Sequence, residues 1–311
     1  MTPAPFLDAI TEAPPGAAWW VRAADGLRLR VGGWRPARAA GTVLIFPGRT
    51  EYIEKYGRPA RDFLDAGLAV LAVDWRGQGM ADRLPRAPFA GHVRAFADYQ
   101  RDVAAMLEVA EAQGFPRPFH LLGHSMGGAI GLRALTRGLD VASAVFTAPM
   151  WGIVIAPHLR PAAWAVSWAG KRTGLGHRVA PGAVPGCYAA TAPFADNTLT
   201  TCPDGFAYLQ GQLTATPELQ VGGPSLAWLH EALVECAALG RAPAPAVPTL
   251  VWLGTRERIV DPARIAARAE SWPAARLARV EGAEHELLME RPALRAQVME
   301  GTLAHMRAHA G

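Results

Sequence analysis

Five serines occur in the 311 residues, and one of them, Ser125, stands in Gly123-His124-Ser125-Met126-Gly127. This GxSxG pentapeptide follows an apolar run, Phe119–Gly123 (FHLLG), and precedes a helical pattern, Met126–Leu135. A strand that turns so sharply into a helix forces its central residue into strained φ/ψ space and lifts the hydroxyl clear of the backbone. Glycines on either side of the turn remove Cβ atoms that would collide with the neighbouring strand and helix, and Gly128 and Ala129 continue the run of small residues. The chemistry predicted is nucleophilic attack by Ser125 on an ester carbonyl, with a helix N-terminus beneath the developing negative charge.

Such a serine needs a base, the base needs an orienting carboxylate, and the oxyanion needs N–H donors. After the last strong strand pattern the histidines are His285, His305 and His309. The latter two fall on a terminal helical pattern with surface spacing and are expected to face solvent. His285 follows a weak strand, Arg276–Val280, on a loop, and is the expected base. Glu257, Asp261 and the glutamates of the His285 loop compete for the role of acid. Asp261 precedes Pro262 and a helical pattern, the signature of a helix N-cap, which already gives it a structural task. Glu257 is therefore the first choice and Asp261 the second. The N–H of Met126 is expected to be one oxyanion donor. The N–H of Arg49, after strand Thr42–Phe46 and Pro47-Gly48, is expected to be the other, unless Pro47-Gly48 is only a turn. An Arg49 side chain facing the cleft would meet an anionic group. His124 and Trp151 are expected to touch substrate.

These residues need a scaffold. Thr42–Phe46, Leu68–Asp74, Phe119–Gly123, Ala142–Thr147 and Thr249–Leu253 are continuous apolar runs, as in strands buried on both faces of a parallel sheet, and Leu27–Trp34 alternates as a half-exposed strand does. Helical patterns lie between the strand runs at 53–64, 97–112, 126–135, 262–270 and 291–309. The expected fold is α/β: a mostly parallel, eight-stranded sheet flanked by helices, with core segments 1–148 and 249–311. The alternation stops between about Pro149 and Pro248, a stretch rich in Pro, Gly and Trp, which predicts a helical cap inserted above the strand ends. The uncharged run 141–159 is long enough for a membrane span, but Pro149 and Pro157 read it as a buried strand entering that insertion.

Composition narrows the partners. A net charge of +4, spread without a basic block, gives no nucleic-acid footprint. Three cysteines without a CxxC pair make a disulfide scaffold or zinc site unexpected and fit a reducing compartment. His285-Glu286-Leu287-Leu288-Met289 lacks the second histidine of HExxH, so no metal is expected, and no GxGxxG or Walker sequence implies a nucleotide cofactor. The N-terminal residues have neither the basic nor the apolar region of a signal peptide. A cytoplasmic enzyme is expected, with room for peripheral contact at the inner membrane face.

With these motifs in hand, the chain resembles the lysophospholipase L2 and monoacylglycerol lipase-like branch of the α/β-hydrolases. The resemblance rests on PGRTEYIEKYG, VDWRGQGMADR, GHSMGG, GTRERIVD and EGAEHELLMER, and spans nearly the whole core. It implies an acid at the position of Glu257 and a structural role for the Asp74-Trp75-Arg76-Gly77 loop. The usual His-Gly of the oxyanion loop is Pro47-Gly48 here. Together these readings predict a serine carboxylic ester hydrolase that needs no cofactor and acts on a single-chain lipid, a lysophospholipid or monoacylglycerol. The alternative is a short-chain carboxylesterase or an aminopeptidase- or haloperoxidase-like activity on the same scaffold.

Overall fold

The computed structural model describes residues 1–83, 89–184 and 186–310. Eleven strands occur among them: β1 (Thr2–Ala4), β2 (Ala17–Arg22), β3 (Arg28–Trp34), β4 (Thr42–Phe46), β5 (Ala69–Asp74), β6 (Ala90–Gly91), β7 (Phe119–His124), β8 (Ser143–Thr147), β9 (Gly222–Pro224), β10 (Thr249–Gly254) and β11 (Ala275–Val280). Nine of them form one sheet in the order β1-β2-β3-β5-β4-β7-β8-β10-β11. The pairings from β5 through β11 are parallel, and those from β1 to β5 by way of β2 and β3 are antiparallel. This is the α/β-hydrolase architecture, with nine strands where eight were expected. The additional edge strand, β1, is three residues long and carries no apolar alternation to announce it.

The strands form because their residues fill two cores. In β4, Leu44 and Phe46 join the cluster on one face, while Val43 and Ile45 join the other. The same division separates Leu121 from Leu122 in β7, and Val251 from Leu250 in β10. Period-two alternation sends successive side chains to opposite faces, so a continuous apolar run buries both. Each fully buried aliphatic or aromatic side chain contributes about 1.5–3 kcal/mol. At the edge, β11 is only partly buried, which explains its weaker apolar pattern.

The helices are α1 (Asp8–Thr11), α2 (Gly57–Asp65), α3 (Tyr99–Ala112), α4 (Met126–Thr136), α5 (Arg160–Arg172), α6 (Tyr188–Thr191), α7 (Pro203–Ala215), α8 (Leu226–Leu239), α9 (Pro262–Glu270) and α10 (Pro292–Ala308). Helices α5 to α8 and the two-stranded β6–β9 ribbon belong to the chain's excursions from the sheet. No helix among the described residues is long and apolar enough to cross a membrane. The 141–159 run divides into β8 and a loop leading toward α5. His305 and His309 differ from expectation. Both are half-buried, and His305 Nε2 lies 3.2 Å from the Pro248 carbonyl, because α10 packs back against the sheet.

Candidate active site

Ser125 sits between β7 and α4 with φ +48° and ψ −115°. A β-carbon-bearing residue held there costs on the order of 1–3 kcal/mol, and the surroundings must over-determine it. They do so through the backbone. The Ser125 N–H donates to the Thr147 carbonyl at 3.1 Å, and its own carbonyl accepts from Gly128 N at 2.9 Å and Met150 N at 2.8 Å. Gly127 explains the second glycine of the motif, because a β-carbon there would lie 1.8 Å from the Phe46 carbonyl oxygen. Only glycine lets α4 press this closely on β4.

Ser125 and His285 line the same cavity, of about 350 Å³. His285 is delivered by the turn after β11, and its Nδ1 lies 2.7 Å from Glu257 Oε2. This bond assigns the proton to Nδ1 and leaves the Nε2 lone pair as the basic site. Glu257 follows β10. Its second oxygen accepts from Ile259 N at 2.6 Å and Val260 N at 3.0 Å. Burial alone would push the Glu257 carboxyl up, but the His285 partner and the two backbone donors outweigh it and hold the carboxyl below its usual range. Asp261 is engaged elsewhere. It caps α9, accepting from Ala263 N at 3.1 Å and Arg264 N at 3.3 Å, and pairs with Arg160 at 3.0 Å.

The loop after β4 carries the other expected donor. Gly48 N–H donates to Glu51, and Thr50 N–H donates to Gln78 Oε1 at 3.1 Å. The Arg49 N–H between them has no partner among the described residues. The Met126 N–H opens α4 and is one of the first-turn donors that a helix cannot satisfy internally.

Residues 37–292 match the model of the family described as serine aminopeptidase, S33 (Hydrolase_4). The chain belongs to this family. Lysophospholipase L2 of Escherichia coli strain K12 is 33% identical to it over 294 residues, which cover 92% of this S33 chain and 86% of that protein. A probable lysophospholipase L2 of Haemophilus influenzae is 29% identical over 260 residues, covering 83% and 81%. Among solved structures, a soluble variant of monoglyceride lipase from Saccharomyces cerevisiae superposes with a TM-score of 0.73 at 19% identity, covering 94% of this chain and 95% of that one. A thermostable carboxyl esterase from Bacillus coagulans gives 0.76 at 15% identity, covering 95% and 99%. These two likenesses speak for the fold.

In this S33 hydrolase two expected substrate contacts need correction. Trp151 is 2% exposed and packs against Phe146 and Trp272, with its Nε1–H donated to the Gly128 carbonyl at 3.2 Å. It supports the elbow from within the core and does not line the cavity. His124 is likewise buried and does not line it. Its ring lies behind the cavity wall, 4.8 Å from the His285 ring and facing Glu51 and Glu286.

His124 instead belongs to a buried charge cluster that the motifs contained but sequence reasoning did not single out. Lys55 Nζ donates to Glu51 and, at 2.6 Å, to Glu286 Oε2. Tyr56 donates its hydroxyl to Glu51 at 2.5 Å. His124 Nε2 lies 3.4 Å from Glu286 and 3.5 Å from Glu51, while its Nδ1 lies 3.0 Å from Thr147 Oγ1. Burial would lower the His124 pKa, but Glu286 and Glu51 reverse the direction and raise it. Burial likewise opposes ionisation of Glu286, yet Lys55 and His124 hold it well below the usual carboxylate range. Glu51, His124 and Glu286 have the residue types and spacing of a metal site, but the Lys55 ammonium bonds both carboxylates and takes the cation's place. The signal in the sequence was the adjacency of these residues to Pro47-Gly48-Arg49 and to His285. The Asp74 loop proves structural in its contacts: Asp74 is buried against Arg30 at 2.8 Å and accepts from Ile53 N and Met80 N.

Proposed function

We propose that the protein cleaves the acyl ester of a single-chain lipid, a lysophospholipid or monoacylglycerol, through an acyl-enzyme on Ser125. His285 Nε2 takes the Ser125 proton as the oxygen attacks the carbonyl carbon. The Met126 and Arg49 N–H groups hold the resulting oxyanion, and Glu257 stabilises the imidazolium. The ester C–O bond then breaks, and the alcohol leaves with the proton from His285. Water, deprotonated by His285, attacks the acyl-enzyme and releases the fatty acid and the serine. The observation that carries this reading is the Glu257-oriented His285 on the same cavity as the strained serine, where Leu199, Leu209, Leu213, Val221 and Ile259 supply apolar wall for an acyl chain. The lysophospholipase L2 relatives support the same substrate class.

Segment 149–248 acts as the cap in this reading, since most of the cavity wall opposite the sheet comes from it. Leu159, Trp164, Val166 and Trp168, on and beside α5, are exposed and favour peripheral contact of the cap with a membrane surface, consistent with a cytoplasmic enzyme working at the inner face. Sedimentation with anionic liposomes tests that contact, and a chain left wholly in the supernatant at low salt removes it.

The central test is hydrolysis of acyl esters of increasing chain length by wild type and Ser125→Ala. The expected result is a preference for long single-chain lipids and a loss on the order of 10⁶ in kcat for the variant. Maximal rates on acetyl esters with no lipid cleavage would replace this reading with a short-chain esterase.

A further inference from the structure

Among the described residues, the cavity is lined by one cation without an anionic partner. Among the charged side chains lining it, Glu51, Lys55 and Glu286 bond to one another, and His285 is paired with Glu257. Arg49 has no ion pair among the described residues, and its Nε is both sealed from solvent and without a hydrogen-bond partner. Among the described residues its side-chain hydrogen bond is to one carbonyl, with Nη2 donating to Gly222 O at 2.5 Å in β9. The guanidinium lies over the Trp228 ring, 5.2 Å from its centroid, and a β-carbon on Gly91 would come within 2.9 Å of Nη2. Burial pushes the Arg49 pKa down to about 10, which still leaves it charged at neutral pH. A buried guanidinium is normally paired, since desolvation costs several kcal/mol that a lone carbonyl and an indole face do not return. A guanidinium that lines the cavity without an anionic partner is suited to an oxyanion with several acceptor oxygens.

Location narrows the choice of anion. The backbone N–H of Arg49 is the donor assigned above to the ester carbonyl, so its guanidinium can lie no farther from that carbonyl than one arginine side chain. The phosphate of a lysophospholipid is separated from its acyl carbonyl by a glycerol unit of comparable span. We propose that Arg49 is the headgroup reader of this site: its guanidinium takes the phosphodiester of a lysophospholipid and makes the enzyme prefer that substrate over a neutral monoacylglycerol with the same acyl chain. This rests on the single-chain lipid reading given above and adds to it the choice of headgroup.

The test compares kcat/KM for 1-lauroyl lysophosphatidylglycerol and 1-monolaurin, both below their micellar concentrations, in wild type, Arg49→Gln and Arg49→Lys. Wild type should favour the phosphodiester. Arg49→Gln should cut the ratio of the two constants about tenfold or more, as expected for loss of one charged hydrogen-bonding partner, and Arg49→Lys should restore part of it. The ratio is internal to each variant, so a general loss of active protein does not move it. If both substrates fall by the same factor, Arg49 is a strut to β9 or holds only the released carboxylate, and the proposal is overturned. An unchanged ratio overturns it equally. Calorimetric binding of dodecyl phosphate and of 1-dodecyl glyceryl ether to Ser125→Ala, with and without Arg49→Gln, separates this result from failure of the lipid reading. If wild type cleaves neither lipid, that reading falls, while phosphate binding about tenfold tighter than the ether and lost with Arg49 still upholds the anion site. Equal affinities reject it.

Discussion

Lys55 and Glu286 stand 231 positions apart in the chain, and their side chains meet at 2.6 Å beside the cavity. Lys55 also binds Glu51, whose carboxylate accepts the Gly48 N–H, so one ammonium ties the loop after β4 to the residue that follows His285. The pairing thereby joins the loop after β4 to the turn that carries His285.

Removing this cation is expected to be severe. Lys55→Met leaves two buried carboxylates facing one another and should lower stability by about 3–5 kcal/mol in denaturant melts. Replacing Glu51 and Glu286 by Gln in the same chain should recover much of that loss, because the uncompensated charges go with the ammonium. Recovery of stability without recovery of kcat would separate the positioning task from the folding one. A Lys55→Met protein as stable as wild type would contradict the account of the cluster.

The two candidate acids should separate cleanly. Glu257→Gln offers an amide where His285 Nδ1–H needs a carboxylate, disturbing the tautomer and the imidazolium, and kcat should fall by about 10⁴. Asp261→Asn keeps a competent N-cap on α9 and should change kcat by less than about threefold, with a stability cost under roughly 1 kcal/mol. Steady-state kinetics on any cleaved ester decides this, and the reverse pattern would transfer the acid to Asp261.

The elbow predicts a contrast between two glycines. A β-carbon at Gly127 meets the Phe46 carbonyl at 1.8 Å, so Gly127→Ala must move α4 and should cost about 3 kcal/mol or more, along with activity. Gly211 lies on the exposed face of α7, where an added β-carbon would meet nothing within 4 Å, and Gly211→Ala should stabilise by up to about 1 kcal/mol. Thermal melts of the two variants give the comparison.

Acid stability should carry the mark of His120. This residue is 1% exposed, its Nδ1 lies 2.8 Å from Ser143 Oγ, and burial pushes its pKa down to about 4. The unfolded chain binds the proton first, near the ordinary histidine value, so stability is intact above about pH 6.5 and is lost as pH falls toward 4. The shift corresponds to roughly 3 kcal/mol, and His120→Gln should flatten that part of the pH–stability curve. An unchanged slope in the variant would assign the acid sensitivity to other groups.

The sequence by itself determined the parts of this protein that depend on neighbours along the chain. Continuous apolar runs marked β4, β5, β7, β8 and β10 because strands buried on both faces need no polar positions, and GxSxG marked the elbow because the steric demand is met within five residues. His285 was legible from its place just past the last strand, and Asp261 from the proline that follows it. Strands β1 and β2 were not legible, since antiparallel strands near the sheet edge with exposed positions carry a weaker pattern. Tertiary structure alone decided that Trp151 and His124 turn inward, that Lys55 closes a circuit with Glu51 and Glu286, and that Arg49 has no ion pair among the described residues. Each of these depends on the direction of a side chain across tens or hundreds of residues, and such directions are set when the sheet closes and the two cores pack.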